Sequence, residues 1–208
     1  VIDEAGQYSL ANTVAVSVVA DRLLLLGDPQ QLPEVSQGSH PEPIDTSALG
    51  WLIEGRPTLA ESRGYFLATT YRMHPALADR VSALSYAGFL AAEPTVTTRR
   101  SLAGIEAGVH VIPVVHRDNT TESVEEAEAI AARIAGLIGL LWDDPDDAEG
   151  PRPLRETDIR VVTPYNAQVH VLRTVLDRAG LPDVPAGTVD KFQGQEGALV
   201  FISMAASA

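Results

Sequence analysis

Ile159-Arg160-Val161-Val162-Thr163-Pro164-Tyr165-Asn166-Ala167-Gln168-Val169 runs from an apolar stretch through a polar turn into a second apolar pattern. Ile159 to Val162 predicts a short strand, and Val169 to Leu176 predicts a helix with Gly180 placed to stop it. The same alternation recurs outward in both directions. Downstream, Thr188-Val189 precedes a turn at Gly194, and Leu199 to Ser203 reads as a last strand. Upstream, Ser123 and Glu126 have capping-box spacing ahead of an apolar stripe of Ala127, Ile130, Ile134, Leu137 and Leu141. Residues 143–158, which contain DDPDDAEGPRP, read as a hydrophilic loop, and Val109 to Val115 as a strand. Pro75 opens a helix carried by Leu77, Val81 and Leu84 and closed at Gly88. Gln31 to Arg63 reads as an ordered connection with a short helix near Ala48 to Glu54. Arg22 to Leu26, closed by Gly27-Asp28-Pro29, and Val1-Ile2 complete the set of strands. Short strands, apolar on both faces and separated by helices, predict an α/β fold whose parallel sheet is covered by helices on both faces. Chemistry in such sheets gathers at the carboxyl ends of the strands.

Composition narrows the function. The chain has 208 residues, 28 Asp and Glu against 15 Lys and Arg, and no Cys, which excludes disulfides, thiolate zinc sites and a cysteine nucleophile. A cysteine-free chain points to a cytoplasmic location. Its longest apolar runs, such as Val14 to Ala20, fall short of a bilayer span. A pI near 4.7 argues against coating nucleic acid by bulk charge. The acidity is local: residues 1–55 hold 8 acids and one Arg, and residues 118–149 hold 10 acids and one Arg, so the remainder carries 13 bases against 10 acids. A local basic groove is therefore compatible with the composition. The chain opens within one apolar strand and closes within another, so a fragment truncated at both ends is expected.

Polar clusters follow the strands. Asp3-Glu4 can divide labour between holding Mg²⁺ through water and activating a water for attack on a phosphoryl group; an ordinary solvated turn has the same look. In Gly27-Asp28-Pro29-Gln30-Gln31-Leu32-Pro33, a Gln can bond both a terminal phosphate and the attacking water, and a Pro-containing polar turn is the alternative. In Thr70-Tyr71-Arg72-Met73-His74-Pro75, Arg72 offers a rigid fork of donors to transferring phosphoryl charge and Tyr71 a flat face to a base. His74 has no metal-ligating partner at suitable spacing, which favours a structural role. The polar residues after Val162 and around Thr188 can reach a phosphate backbone or serve as helix caps.

Taken in order, DEAGQ, GDPQQLP, TYRMHP, VVTPYNAQV and TVDKFQGQE resemble the successive motifs of superfamily 1 helicases, in the branch that includes the RNA-surveillance helicases and bacterial fusions of a RecB-like nuclease to a helicase. The stretch around Asn12 to Val16 and the wording of TVDKFQGQE are nearest to the nuclease-fused type, which implies a nuclease domain in the same full-length chain. The resemblance implies a RecA-like P-loop NTPase fold in two domains, the tail of the first over residues 1–62 and most of the second over 63–208. ATP would lie between them and single-stranded DNA, or RNA, across the top. Asp3 would hold Mg²⁺, Glu4 would be the base for the hydrolytic water, and Gln31 would sense the γ-phosphate. Arg72 would act as an arginine finger, Tyr71 would stack on adenine, and Glu196 would contact the ribose. Thr163 and Thr188, with Pro164 and Tyr165, would touch the nucleic-acid backbone; Gln7 matches a motif position without an assigned role. The phosphate-loop pattern G-x-x-x-x-G-K-[ST] is missing, since the one lysine is Lys191. By the resemblance that loop belongs upstream of DEAGQ and a last Arg motif downstream of Met204, so the fragment alone is expected not to hydrolyse ATP.

Overall fold

The computed structural model describes residues 1–32, 38 and 40–207. Pro33 of the GDPQQLP motif, and part of the expected connection between Gln31 and Arg63, lie outside the described residues. Packing divides the chain into two compact units, Val1–Thr97 and Thr98–Ala208. The 62/63 boundary expected between motor domains falls inside the first unit.

In the first unit, Ile2 and Leu25 form a parallel bridge, with Ile2 N donating to Leu24 O at 2.8 Å and Leu26 N to Ile2 O at 2.9 Å. The two expected strands are therefore neighbours, but pairing is confined to one bridge because a turn begins at Asp3 and Glu4 has φ 53°. Helix α1, Leu10–Ser17, starts under a Ser9 cap and takes up much of the Val14–Ala20 run; sequence periodicity gave no sign of it. Helix α2, Ala48–Ile53, lies where expected, capped by Ser47, and buries Ala48, Leu49 and Ile53. Strand β1, Thr69–Thr70, leads through α3, Pro75–Ser85, to β2, Ala91–Ala92, which pairs with β1 in parallel. Ala78 and Ser82 are the buried residues of α3; of the expected stripe, Leu77 and Val81 are half-buried and only Leu84, 86% exposed, faces away. Ser82 is buried because its Oγ accepts the N–H of Leu90 at 3.0 Å, where the returning chain meets the helix. The unit ends in the one-turn α4, Pro94–Thr97.

The second unit opens with β3, Ser101–Leu102. Val109 to Val115 does not form the expected strand: among the described residues no strand pairs with it, and Val109, Val111 and Val115 are exposed. Helix α5, Val124–Ala135, matches the apolar stripe over Ala127, Ile130 and Ile134. The stripe does not extend to Leu141, which opens β4, Leu141–Asp143. With β5, Arg152–Pro153, this gives an antiparallel sheet of order β3-β4-β5 where a hydrophilic loop was expected. Ion pairs make this possible: Arg152 meets Asp147 and Asp158 at 2.8 and 2.7 Å, and Arg100 meets Asp144 and Asp146 at 3.1 and 2.5 Å.

Strand β6, Ile159–Thr163, then feeds α6, Asn166–Arg178, followed by β7, Ala186–Thr188, the one-turn α7, Val189–Phe192, and β8, Leu199–Ile202. These strands form a parallel sheet of order β7-β6-β8, as an α/β fold of this kind requires. Ile159 and Val161 face Ile130 and Ile134 of α5 and Leu172 and Leu176 of α6 in one core. Each such aliphatic side chain contributes roughly 1.5–3 kcal/mol by leaving water. On the opposite face a Cβ at Gly187 would meet the side chains of Lys191 and Phe192, so α7 covers that strand, while Val200 and Ile202 of β8 remain exposed.

Candidate functional site

Asp3, Glu4, Gln31, Tyr71 and Arg72 lie in the first unit, and Thr163, Pro164, Tyr165, Thr188 and Glu196 in the second. Both acids of the first motif are exposed. Asp3 Oδ1 accepts the N–H of Glu4 at 3.0 Å, and Gln7 Nε2 lies 3.5 Å from Glu4 Oε2, at the outer limit of a hydrogen bond. Glu4 occupies the left-handed region at φ 53°, a conformation that costs a non-glycine residue about 1–3 kcal/mol and persists only where its surroundings hold it. They do: Ala5 is fully buried, and its N–H bonds Leu26 O at 2.8 Å.

The next residue ties this turn to the GDPQQ turn. A Cβ on Gly6 would lie 2.2 Å from Asp28 O, and one on Gly27 would lie 2.8 Å from Ala5 N. Two backbones thus interlock at positions where neither can carry a side chain. Asp28 organises the GDPQQ turn, its Oδ1 accepting Gln30 N at 3.0 Å and its Oδ2 accepting Gln31 Nε2 at 3.2 Å. The acid pair and Gln31 therefore sit on two turns in backbone contact, Gly6 against Asp28.

Tyr71 and Arg72 follow β1 directly, and Arg72 N bonds Thr70 Oγ1 at 3.3 Å. His74 is structural, as expected: its Nδ1 accepts Ala76 N at 3.2 Å and caps α3 ahead of Pro75. The far end of α3 returns to the GDPQQ turn, where Tyr86 donates its hydroxyl to Asp28 Oδ2 at 2.5 Å. Burial, then the neighbouring Asp28 carboxylate, raise the Tyr86 phenol above its ordinary pKa. Sequence reasoning missed Tyr86, since nothing within three residues of it suggests a partner 58 positions away.

In the second unit, Thr163 and Thr188 are register partners at the carboxyl ends of adjacent parallel strands. Two threonines drawn from separate motifs thus share one edge of the sheet. Thr163 is fully buried and its hydroxyl has no hydrogen-bond partner among the described residues, Pro164 is exposed, and Tyr165 offers α6 no side-chain cap. The start of α6, without a side-chain cap, has N–H groups that suit a phosphate oxygen, whereas the Thr163 hydroxyl itself is out of solvent reach. Glu196 lies exposed in the turn after α7.

Beneath this edge is a polar network that sequence reasoning also missed. The capping box is half formed: Ser123 Oγ accepts Glu126 N at 3.2 Å, but the Glu126 carboxylate turns to Ser203 Oγ at 2.6 Å, Ala205 N at 3.0 Å and His116 Nε2 at 3.1 Å. Gln168 bonds Ser123 and, through Nε2, Ser203 Oγ at 2.9 Å. Its signal was a polar residue on the inward stripe Gln168, Val169, Leu172 and Leu176.

Among the described residues no three metal-ligating side chains converge, and no helix is long and apolar enough to cross a membrane. A Mg²⁺ held by one carboxylate, water and substrate phosphates needs no such cluster, and exposed Asp3 fits that mode.

The AAA domain family model matches residues 45–208. Human RNA helicase Mov10l1 is 30% identical, with 97% of this chain and 18% of that protein covered. Rat DNA-binding protein SMUBP-2 is 29% identical over 100% of this chain and 21% of its own length. DNA polymerase alpha-associated DNA helicase A of Saccharomyces cerevisiae is 28% identical over 89% of this chain and 29% of its own. The chain spans less than a third of each of these relatives.

Proposed function

The chain belongs to the AAA domain family, and from that premise we propose that it is part of a superfamily 1 motor that couples ATP hydrolysis to movement along single-stranded nucleic acid. The observation that carries this reading is the interlock of Gly6 with Asp28, which joins the turns of Glu4 and Gln31 in backbone contact. A base for water and an amide that senses the terminal phosphate must act on the same phosphoryl group, so they need a fixed separation.

In this account Glu4 takes the proton of the attacking water and Gln31 orients that water against the γ-phosphate. Bound Mg²⁺, held through Asp3, would neutralise phosphate charge. Arg72 stabilises the charge of the transferring group, Tyr71 stacks on adenine and Glu196 bonds the ribose. Residues 1–62 belong to the first motor domain and 63–208 to the second, so the two halves meet partly within the first compact unit. Thr163 and Thr188, with Pro164 and Tyr165, take the nucleic-acid backbone at the paired strand ends. Contacts to phosphate read no sequence.

DNA is the first choice of track. RNA is the second reading, favoured by a relative named as an RNA helicase. The finer reading, a bacterial motor with a RecB-like nuclease in the same chain, rests on the wording of TVDKFQGQE and of the stretch around Asn12 to Val16. In the full-length protein, Arg72→Ala is expected to lower kcat for ATP by about 10³-fold while nucleotide binding persists. Lost binding with unchanged turnover would contradict the role of Arg72. Comparing stimulation by single-stranded DNA and RNA of one sequence decides the track.

A further inference from the structure

Between β6 and α6 the chain passes through Thr163, Pro164 and Tyr165, the turn to which the proposed function gives the nucleic-acid backbone. Its strand side is held by the sheet: Ser203 N donates to Val162 O at 2.9 Å, and Thr163 is in register with Thr188. Its helix side has less backbone support. Pro164 lacks an N–H, the Tyr165 side chain caps nothing, and Val169 N reaches back to Tyr165 O at 3.2 Å.

Gln168, in the first turn of α6, supplies what the backbone does not. A glutamine at this place in a helix can reach back to the backbone ahead of its own first turn. This one is fully buried and turns to other elements instead. Its Nε2 donates to Ser123 O and to Ser203 Oγ, both at 2.9 Å, and its Oε1 accepts Ser123 N at 2.7 Å. Ser123 caps α5 and Ser203 follows β8, so one amide joins the start of α6 to the start of a second helix and to the exit of a neighbouring strand. Ser203 is held in turn by Glu126, whose Oε2 accepts its hydroxyl at 2.6 Å and Ala205 N at 3.0 Å. Below Gln168 the inward stripe is Val169, Leu172 and Leu176. Aliphatic contacts of that kind are non-directional, whereas hydrogen bonds of fixed geometry resist turning and sliding of the helix.

We infer that Gln168 is a positioning residue for nucleic-acid binding, one that fixes the first turn of α6 against α5 and the exit of β8 and so sets where the turn from Thr163 to Tyr165 meets the strand. A fully buried side chain cannot touch the strand itself, so its effect on binding passes through that turn. This inference rests on the proposed role of the turn.

The test is ATP turnover of the full-length protein titrated with single-stranded oligothymidylate. Gln168→Met keeps an unbranched side chain of similar length and removes the hydrogen bonds to Ser123 and Ser203. It is expected to raise the strand concentration for half-maximal stimulation about tenfold, with kcat at saturating strand and KM for ATP within about twofold of the parent. A side chain that only stabilised the fold would lower kcat through loss of folded protein and leave half-saturation unchanged, and that result overturns the positioning role. Should Gln168→Met melt below the assay temperature, Ser203→Ala is the gentler variant: it is expected to raise half-saturation about threefold, and no change would overturn the role. Tyr165→Asp puts a carboxylate in the turn and tests the underlying reading through repulsion of backbone phosphates. If it weakens strand binding and folded Gln168→Met does not, the positioning role is overturned and the strand-end reading stands. If Tyr165→Asp leaves half-saturation unchanged, the strand-end reading fails and the positioning role with it.

Discussion

Gln168 and Ser123 exchange two hydrogen bonds: Ser123 N donates to Gln168 Oε1 at 2.7 Å, and Gln168 Nε2 donates to Ser123 O at 2.9 Å. One side chain in the first turn of α6 thus satisfies the backbone at the start of α5, and its remaining bond reaches Ser203 just past β8. Gln168 and Ser203 are fully buried and Ser123 is 1% exposed, so no water replaces these partners at the surface. Gln168→Leu keeps the volume, strands the Ser123 N–H and removes one bond each from Ser123 O and Ser203 Oγ. It should cost about 2–4 kcal/mol in urea unfolding. A loss below about 1 kcal/mol would show that the network contributes little.

Gly6 supplies a second prediction. A methyl group 2.2 Å from Asp28 O cannot be accommodated without parting the two turns, because the obstacle is backbone. Gly6→Ala should therefore lower ATP turnover of the full-length protein by at least about tenfold, since misplacing catalytic groups by an ångström has effects of that order or larger. Unchanged kcat would mean that the interlock does not set the distance between Glu4 and Gln31.

Acid sensitivity should trace to the β4–β5 region. The Asp158 carboxyl is held below its ordinary pKa, first by the hydrogen bonds from Arg152, against a smaller opposing effect of burial. A depressed folded-state pKa means that the charged form stabilises the fold. That contribution is whole above the usual aspartate range and is lost as pH falls through the lower folded value. Asp158→Asn should lower stability at neutral pH and flatten the decline seen below about pH 5, so that the two curves converge in acid. Parallel curves at all pH values would rule out Asp158 as the titrating group.

Much of the second unit was legible because its elements carry local signals. β6 and α6 announce themselves through an apolar run, a proline-containing turn and a helical stripe ending near Gly180. β3, β4 and β5 do not, since strands of two or three residues are too short for periodicity and are built around ion pairs with partners up to 46 positions apart. The same limit hid Tyr86 and Asp28. Ser123 and Glu126 were recognised as a cap by spacing, yet the Glu126 side chain serves Ser203, Ala205 and His116 instead, which spacing alone cannot reveal. Motif residues were found in the first unit, but the fact that Gly6 locks two motifs together is a property of backbone approach in three dimensions.

In the proposed function Glu4 is the base of an ATP-driven motor. The most direct test of that role is ATP turnover by the purified full-length protein, with and without single-stranded nucleic acid, against Glu4→Gln. The parent should show turnover stimulated by the strand, and the variant a fall of at least about 10²-fold with nucleotide binding retained. Equal turnover in parent and variant would contradict it.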